Sequence, residues 1–395
     1  MIKYNKRKST FMLYLGILCS ISLIGTMTGC ERQPKNVMNN NSIQEQTPPI
    51  AYNIYIENSG SMVGYCNFSD ANALETLVGD YYDRLTESIN DGDTVTLNFI
   101  NTSIVPSKEE KNKFLSSIKG KCTAPFTKID QMLEMMMNNV QENDVNILVS
   151  DYVFSTNQGN PQTASSDITK LFTNQLKTKD FTVAMFKYMV NFKGKYYPGG
   201  LSCNKPLPIY IWIFGKEKAV KHISELPFNS QNCGKFLLQK SKVVDFEINA
   251  KNKRMVKGNS IDVTKWNPER KQTYYEFNIK ADLSSIMLDK NAIVDISKYK
   301  VAATSSSMYQ LKEITPLKDG KYEFTIRTQK PSPSKLLISY PISTPQWVND
   351  SNFSGSGIPS DSTTLNIKYL IDGVSKAFTN SGNNVDYFRI EVELK

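Results

Sequence analysis

The sequence predicts an α/β domain built on a doubly wound, mostly parallel sheet, followed by an antiparallel β-sandwich-like domain. Two observations lead to this prediction. Between residues 50 and 226, short apolar runs alternate with helical patterns, as expected when helices cover both faces of a parallel sheet. From residue 227 to residue 395, apolar residues recur with a period of two between turn residues, which is typical of antiparallel strands. The 395 residues, of which 40% are hydrophobic, suffice for two cores.

The first 29 residues have the pattern of an export signal. Basic residues come first, an apolar stretch covers residues 11–24, and small residues lead to Cys30. The ending Met-Thr-Gly-Cys resembles a bacterial lipobox, whose cysteine is lipidated after cleavage. We therefore expect a signal peptide at residues 1–29 and a lipid at Cys30. This lipid would anchor the protein to a membrane of the bacterial cell envelope, facing away from the cytoplasm. A plain signal peptide and an uncleaved anchor are the alternatives.

The folded part is predicted to begin at residue 50, because residues 30–49 are rich in Asn, Gln and Pro and predict a disordered tether. In the α/β domain, apolar runs predict strands at residues 51–56, 94–101, 146–150, 181–190 and 208–214. Apolar residues at helical spacing predict helices at residues 70–89, 108–118, 127–140, 167–178 and 217–226. In the β domain, alternating patterns predict strands at residues 243–249, 273–281, 321–328, 335–340, 364–369 and 385–393.

Charge gives no reason to expect a nucleic-acid partner. The formal net charge is +9, and removal of the four basic residues of the signal peptide would lower it to +5. A balance this mild, without a dense run of Lys and Arg, is not typical of a nucleic-acid-binding surface.

Four cysteines follow Cys30, namely Cys66, Cys122, Cys203 and Cys233. An even number in an exported protein predicts disulfides, and the order along the chain suggests that the first two pair and the last two pair. Three pairings are possible, and four free buried thiols are the alternative. None of these cysteines forms a Cys-x-x-Cys motif, so we do not expect a zinc site.

Polar side chains collect where predicted strands end. Glu57, Ser59 and Ser61 follow the first strand, Asp151 follows the strand at residues 146–150, and Thr127 begins a predicted helix. In an open α/β sheet, ligands bind at the carboxyl ends of the strands where strand order reverses. Hydroxyl and carboxylate oxygens suit hard cations, so this set predicts a site for Mg²⁺, or for Mn²⁺ or Ca²⁺. Turns and helix caps are the simpler interpretation of each residue taken singly.

Three segments resemble the motifs of a known family. Residues 57–62, Glu-Asn-Ser-Gly-Ser-Met, resemble the Asp-x-Ser-Gly-Ser-Met signature of von Willebrand factor type A (vWA) domains. Residues 126–133 resemble the loop whose threonine reaches the metal, and residues 146–151 resemble the strand that ends in the second acid of the site. The resemblance covers residues 50–226 and implies a Rossmann-like fold with a metal-ion-dependent adhesion site (MIDAS).

The resemblance also implies a role for each site residue. Ser59 and Ser61 would bind the cation directly, Thr127 would bind it directly or through water, and Asp151 would bind mostly through water. Two positions depart from the family pattern. Glu57 stands where family members usually have Asp, and Tyr152 stands where a glycine often follows the second acid. The longer Glu side chain puts the metal affinity in question, whereas the preference for a hard cation is unaffected.

Three functions follow as hypotheses. The resemblance implies a protein that binds a protein partner, whose Asp or Glu carboxylate completes the cation's shell, and we expect this protein not to be an enzyme. The alternative is a metal-independent structural or assembly scaffold whose contacts come from the β domain. A hydrolase using Ser59 or Ser61 would have to recruit His222, the only histidine of the chain, and neither a Gly-x-Ser-x-Gly motif nor a phosphate-binding loop is present.

Overall fold

The computed structural model describes residues 48–395, apart from residues 140–142, 155–159, 251–254, 267–272, 306–307 and 381–384. Residues 48–395 form one compact unit. The predicted signal peptide, the lipid site at Cys30 and most of the predicted tether lie outside the described residues, so they stay predictions. No helix within the described part of the chain is both long and apolar enough to cross a membrane.

The first half of the unit contains a central sheet of seven described strands: β1 (Ala51–Glu57), β2 (Thr94–Ile100), β3 (Ile104–Pro106), β4 (Val145–Ser150), β5 (Thr182–Tyr196), β6 (Leu201–Gly215) and β7 (Gly234–Leu238). Their order across the sheet is β3-β2-β1-β4-β6-β5-β7. β1 pairs in parallel with both β2 and β4, and β6 pairs antiparallel with β4 and β5. Because β1, β2, β4 and β5 all run in one direction, the mixed α/β fold with a mostly parallel central sheet is confirmed.

Helices cover both faces of this sheet. One face carries α1 (Leu74–Ser88), α2 (Lys111–Lys121) and α5 (Glu217–Glu225), and the other carries α3 (Ile129–Asn139), α4 (Pro161–Thr178) and α8 (Ile367–Asn380). Successive side chains of β1 point to opposite faces of the sheet, and this explains why there are two cores. Ile54 and Ile56 pack into the core on the first face, while Tyr55 packs into the core on the second. The sheet is therefore buried on both sides, as its nearly continuous apolar strands require.

The second half forms smaller sheets from the strands β8 (Lys242–Val243), β9 (Phe246–Asn249), β10 (Val256–Lys257), β11 (Ser260–Ile261), β12 (Tyr275–Asp282), β13 (Lys300–Ala303), β14 (Tyr309–Pro316), β15 (Lys321–Thr328), β16 (Ser334–Pro341), β17 (Asn352–Phe353), β18 (Thr364–Leu365) and β19 (Asp386–Leu394). One sheet has the order β10-β11-β19-β16-β13, with β8 on β19; a second has the order β14-β15-β12-β9; and β17 pairs with β18. The two larger sheets share one apolar core. Short helices α6 (Lys290–Ile293) and α7 (Gln346–Asp350) complete this half.

Packing crosses the predicted boundary at residue 227. β7 forms the edge of the central sheet, and α8 packs against α4 in the second core. The predicted strand at residues 364–369 is wrong beyond Leu365, because Ile367, Leu370 and Val374 recur at helical spacing and bury one face of α8. Independent folding of residues 50–226 and 227–395 stays a prediction, but truncation after β6 would expose the core that α8 covers.

A glycine sets how closely α8 approaches α4. A Cβ atom at Gly373 would lie 2.7 Å from the backbone oxygen of Ser165 and 3.1 Å from the Cβ of Ile168. We expect Gly373→Ala to lower the free energy of unfolding by about 1–3 kcal/mol, because overpacking outweighs the roughly 1 kcal/mol helix preference of alanine. Chemical denaturation would measure the change. Gly120→Ala in α2 is the matched control, because nothing lies within 4 Å of its Cβ position; equal effects would contradict the prediction.

Candidate functional site

The candidate site lies where strand order reverses. From β1 the chain passes to β2 on one side and later returns as β4 on the other, so β1 and β4 end side by side, with Ile56 opposite Val149. Glu57 is the last residue of β1, and Asp151 directly follows β4. This is the topological switch point at which open α/β sheets bind ligands.

The five predicted site residues come together in one hydrogen-bonded network. Thr127 Oγ1 donates to Glu57 Oε1 at 2.6 Å and also contacts Ser59 Oγ at 3.2 Å. Ser59 Oγ lies 2.8 Å from Ser61 Oγ. Burial raises the pKa of Asp151, and a side-chain hydrogen bond from Ser61 opposes this rise, so the Asp151 carboxyl adjoins the Ser61 end of the network. The structure thus places these five side chains close together, while their roles as metal ligands stay predictions.

Backbone contacts hold the two loops of the site against each other. Ser59 forms a parallel bridge with Ala124, Gly60 N–H donates to Ala124 O at 2.8 Å, and Ala124 N–H donates to Asn58 O at 3.1 Å. After Gly60 the chain turns into a 3₁₀ helix, Gly60–Cys66, which brings Ser61 back beside Ser59. Thr127 does not begin α3 as predicted, because it lies two residues before the helix, in the loop that this bridge positions.

Two buried acids lie beneath the hydroxyls. Glu57 is fully buried and Asp151 is 2% exposed. Burial, and next the nearby charge of Asp151, raise the pKa of Glu57 to about 7, although hydrogen bonds from Ser150, Ser59 and Thr127 oppose this rise. Burial also raises the pKa of Asp151. No lysine or arginine of the described chain is among the groups that shift either pKa, so the two carboxyls face each other without a cationic side chain.

A cavity of about 370 Å³ opens above these acids. The hydroxyl-bearing residues Ser59, Ser61 and Thr127 line it, together with Phe126, which is 58% exposed, and Tyr197, which is 45% exposed. Glu57 and Asp151 are not part of the lining and lie below it. The cavity thus lies between the hydroxyl-bearing residues of the site and two exposed aromatic rings, and the two acids do not line it.

The donor set fits a hard divalent cation. Its hydroxyl and carboxylate oxygens are the ligands that Mg²⁺ prefers, and a cation would offset the charge of two adjacent buried acids. In the described part of the chain, no group of three or more His, Cys, Asp and Glu side chains is arranged to hold a metal. A cation at this site would accordingly depend on hydroxyl oxygens, water and a ligand from outside the chain.

The chain matches no protein-family model and no curated protein. The resemblance to vWA domains therefore depends on the three motifs and on the residues that they contain. All three motifs occur at one edge of the sheet, where Glu57, Thr127 and Asp151 lie within the same network.

Two features of the site were not predicted. Ser150 is the last residue of β4, and its hydroxyl donates to Glu57 Oε2 and accepts from the Tyr152 N–H at 2.8 Å. Tyr152 has a positive φ of 50°, the left-handed conformation that favours glycine. Its buried ring stacks on Trp212 with centroids 4.3 Å apart, which holds an otherwise strained residue in place. The family often has a glycine at this position, and this could have indicated that Tyr152 adopts a left-handed backbone conformation.

His222 does not join the site. It is exposed on α5, which begins just after β6 ends. β6 runs opposite to β4, with Tyr210 beside Ser150 and Phe214 beside Asn146, so α5 starts at the end of the sheet away from Asp151. A triad of Ser59 or Ser61 with His222 is therefore not assembled.

The described cysteines are free thiols. The pairing of Cys203 with Cys233 does not fit the structure. Cys203 lies opposite Gly194, whereas Cys233 N–H bonds to Lys187 O, and seven residues of β5 separate these points by about 23 Å. A disulfide requires Cα atoms within roughly 7 Å.

Stability of the metal-free protein should fall as pH rises from about 4.5 to about 7. Over this window the folded protein keeps on Glu57 a proton that the unfolded chain releases, so the free energy of unfolding decreases by about 3 kcal/mol. Urea unfolding in a chelator at several pH values would measure it. Glu57→Gln removes the titrating group, so the variant should lose this slope; parallel curves for the two proteins would contradict the prediction.

Proposed function

We propose that this chain is a metal-dependent protein-binding module of the vWA type. A divalent cation, Mg²⁺ or Mn²⁺, would be held at the carboxyl ends of β1 and β4. The observation that carries the proposal is the pair of buried acids, Glu57 and Asp151, lying without a cationic side chain beneath a cavity lined by three hydroxyls. Such a pair needs a proton or a cation to offset its charge.

Each residue has a distinct part in the proposal. Ser59 and Ser61 would contact the cation directly, because both residues line the cavity and their hydroxyl oxygens lie only 2.8 Å apart. Thr127 would bind directly or through water, since its hydroxyl also donates to Glu57. Glu57 and Asp151 lie below the lining, so they would act through water or by their charge.

The partner would supply a carboxylate. Mg²⁺ takes six oxygen ligands, and the three hydroxyls of the site leave coordination positions that an anionic oxygen from outside the chain can fill. An Asp or Glu side chain of a protein partner fits this requirement. The exposed rings of Phe126 and Tyr197 would then contact apolar side chains beside that carboxylate.

We further propose that a lipid at Cys30 holds this module at a membrane of the bacterial cell envelope. The basic start, the apolar stretch and the Met-Thr-Gly-Cys ending of the first 30 residues support this location. The scaffold hypothesis stays open. Deleting residues 236–395 would not test it cleanly, because this deletion also removes the part of β7 and the whole of α8 that cover the central sheet.

A calorimetric titration tests the proposal. Mg²⁺, Mn²⁺ and Ca²⁺ would be added in turn to the metal-stripped full chain at pH 8, where Glu57 is ionised. We expect saturable binding of one ion per chain, weakening as the pH falls below about 7 because protons compete for Glu57. Absence of saturable heat for all three ions would favour the metal-independent scaffold.

A further inference from the structure

Two buried cysteines connect the loops of the candidate site. Cys66 is the last residue of the 3₁₀ helix Gly60–Cys66, which carries Ser61, and Cys122 caps α2 and precedes the loop that carries Thr127. Cys66 is 7% exposed and Cys122 is 3% exposed, and both belong to the apolar core on the α1 face. Cys122 also lines the cavity above the acids.

The two thiols are direct neighbours. A side-chain hydrogen bond with Cys122, followed by burial, raises the pKa of the Cys66 thiol. The backbone fixes this approach, because Ser59 and Ala124 form a bridge a few residues from the two cysteines and Gly60 N–H bonds to Ala124 O at 2.8 Å. Glu75 lies beside Cys66, and its buried Oε2 has no hydrogen-bond partner in the described structure.

We propose that Cys66 and Cys122 form a reversible disulfide that covalently joins the two loops of the cavity. The oxidant would be a small disulfide that enters the cavity and reaches Cys122. The Cys122 sulfur attacks one sulfur of this disulfide, the bond between the two external sulfurs breaks, and the Cys122 proton leaves with the first thiol. The Cys66 sulfur then attacks the Cys122 sulfur of the mixed disulfide, and the second external sulfur leaves as a thiol with the Cys66 proton, which passes to it through Glu75. Two protein thiols are thereby oxidised and one external disulfide is reduced to two thiols.

The order of attack follows from the surroundings of each thiol. Cys66 keeps its proton because its pKa is raised, and it lies away from the cavity lining. Cys122 is the cysteine that lines the cavity, so it is the one an external disulfide meets first. Cys203 and Cys233 cannot compete as a pair, since about seven strand residues, roughly 23 Å, separate their places along β5.

The disulfide would stabilise the fold and hold the two loops of the site together. Joining positions 66 and 122 restricts the unfolded chain, which should raise the melting temperature by roughly 5–10 °C. It would also keep Ser61 and Thr127 at their present separation. A several-fold tighter binding of Mn²⁺ by the oxidised protein would follow, and this last consequence depends on the function proposed above.

Peptide mapping tests the disulfide without any metal. The full chain would be incubated with oxidised glutathione, denatured, alkylated with iodoacetamide, digested and analysed by mass spectrometry. We expect one linked peptide pair that joins Cys66 to Cys122, with Cys203 alkylated. Cys233 is exposed and should form a mixed disulfide with glutathione, which shows that the oxidant was active.

Variants complete the test. Cys122→Ser should abolish the link and the rise in melting temperature, whereas the matched variant Cys203→Ser, at another buried thiol, should keep both. Alkylation of both Cys66 and Cys122 in wild-type protein whose Cys233 carries glutathione would overturn the proposal, and so would a link between any other pair. The wild-type map is decisive even if a variant fails to fold. A confirmed link with no Mn²⁺ binding would refute the proposed function alone.

Discussion

Ser59→Ala combined with Ser61→Ala should abolish saturable Mg²⁺ and Mn²⁺ binding, with affinity reduced by more than about 100-fold. Loss of groups that only orient metal ligands costs about 10–100-fold, and these two hydroxyls are proposed to touch the ion themselves. Their hydroxyl oxygens lie 2.8 Å apart, both residues line the cavity, and the variant removes both oxygens. Calorimetry on the metal-stripped full chain would measure the loss, and circular dichroism would check that the fold is retained.

The matched control is Ser116→Ala combined with Ser117→Ala. These serines lie on α2, where each hydroxyl donates to a carbonyl of its own helix, so their loss removes two hydroxyls without touching the cavity. We expect the control to bind the ions as the wild type does. Wild-type affinity in the Ser59 and Ser61 variant would show that the hydroxyls are not ligands, and equal losses in both variants would point to general destabilisation.

Phe378→Ala should lower the free energy of unfolding by about 3–5 kcal/mol, the usual cost of removing a buried phenyl ring. Phe378 is fully buried on α8 and packs edge-on against Phe181, with ring centroids 5.9 Å apart. It belongs to the core that covers the central sheet, although it lies more than 150 residues after the end of β6. Urea unfolding would be followed by the fluorescence of the buried Trp212, with Trp266 and Trp347 replaced by Phe in all proteins compared, so that the signal reports on that sheet.

Met308→Ala is the control for this prediction, because Met308 is 77% exposed in the same half of the chain. Its effect should stay within about 0.5 kcal/mol, as for most surface substitutions. An unchanged transition of Trp212 in Phe378→Ala would mean that residues 50–226 fold independently of α8. A single, shifted transition would mean that the last helix is part of the same cooperative unit.

Local patterns predicted most elements close to their observed bounds. The strand predicted at residues 321–328 is β15, Lys321–Thr328, and the helix predicted at residues 217–226 is α5, Glu217–Glu225. In both segments, the apolar period and the final structure agree because one face is buried. The failure at residues 364–369 has a physical cause. A short apolar run suits a strand or a buried helix, and packing of Ile367 and Leu370 against α4 decides for the helix.

The main residues of the candidate site could be predicted from the sequence, but their hydrogen-bond partners and the effects of their burial could not. Glu57, Ser59 and Asp151 could be selected because polar residues at strand ends share one edge of a parallel sheet. The role of Ser150 could not be selected, because a serine inside an apolar strand gives no signal that its hydroxyl meets Glu57. The raised pKa of Glu57 was also beyond reach, since it requires the depth of burial and the distance to Asp151.

The sequence by itself determined the alternation of strands and helices in residues 50–226 and which oxygens stand at the ends of β1 and β4. Only the tertiary structure decided that two acids 94 positions apart are buried together, that Cys66 meets Cys122, and that α8 completes the first core. The reason is physical. Periodicity and turn chemistry act between neighbours in sequence, whereas burial, electrostatic coupling and close helix packing depend on distances that exist only after the chain has folded.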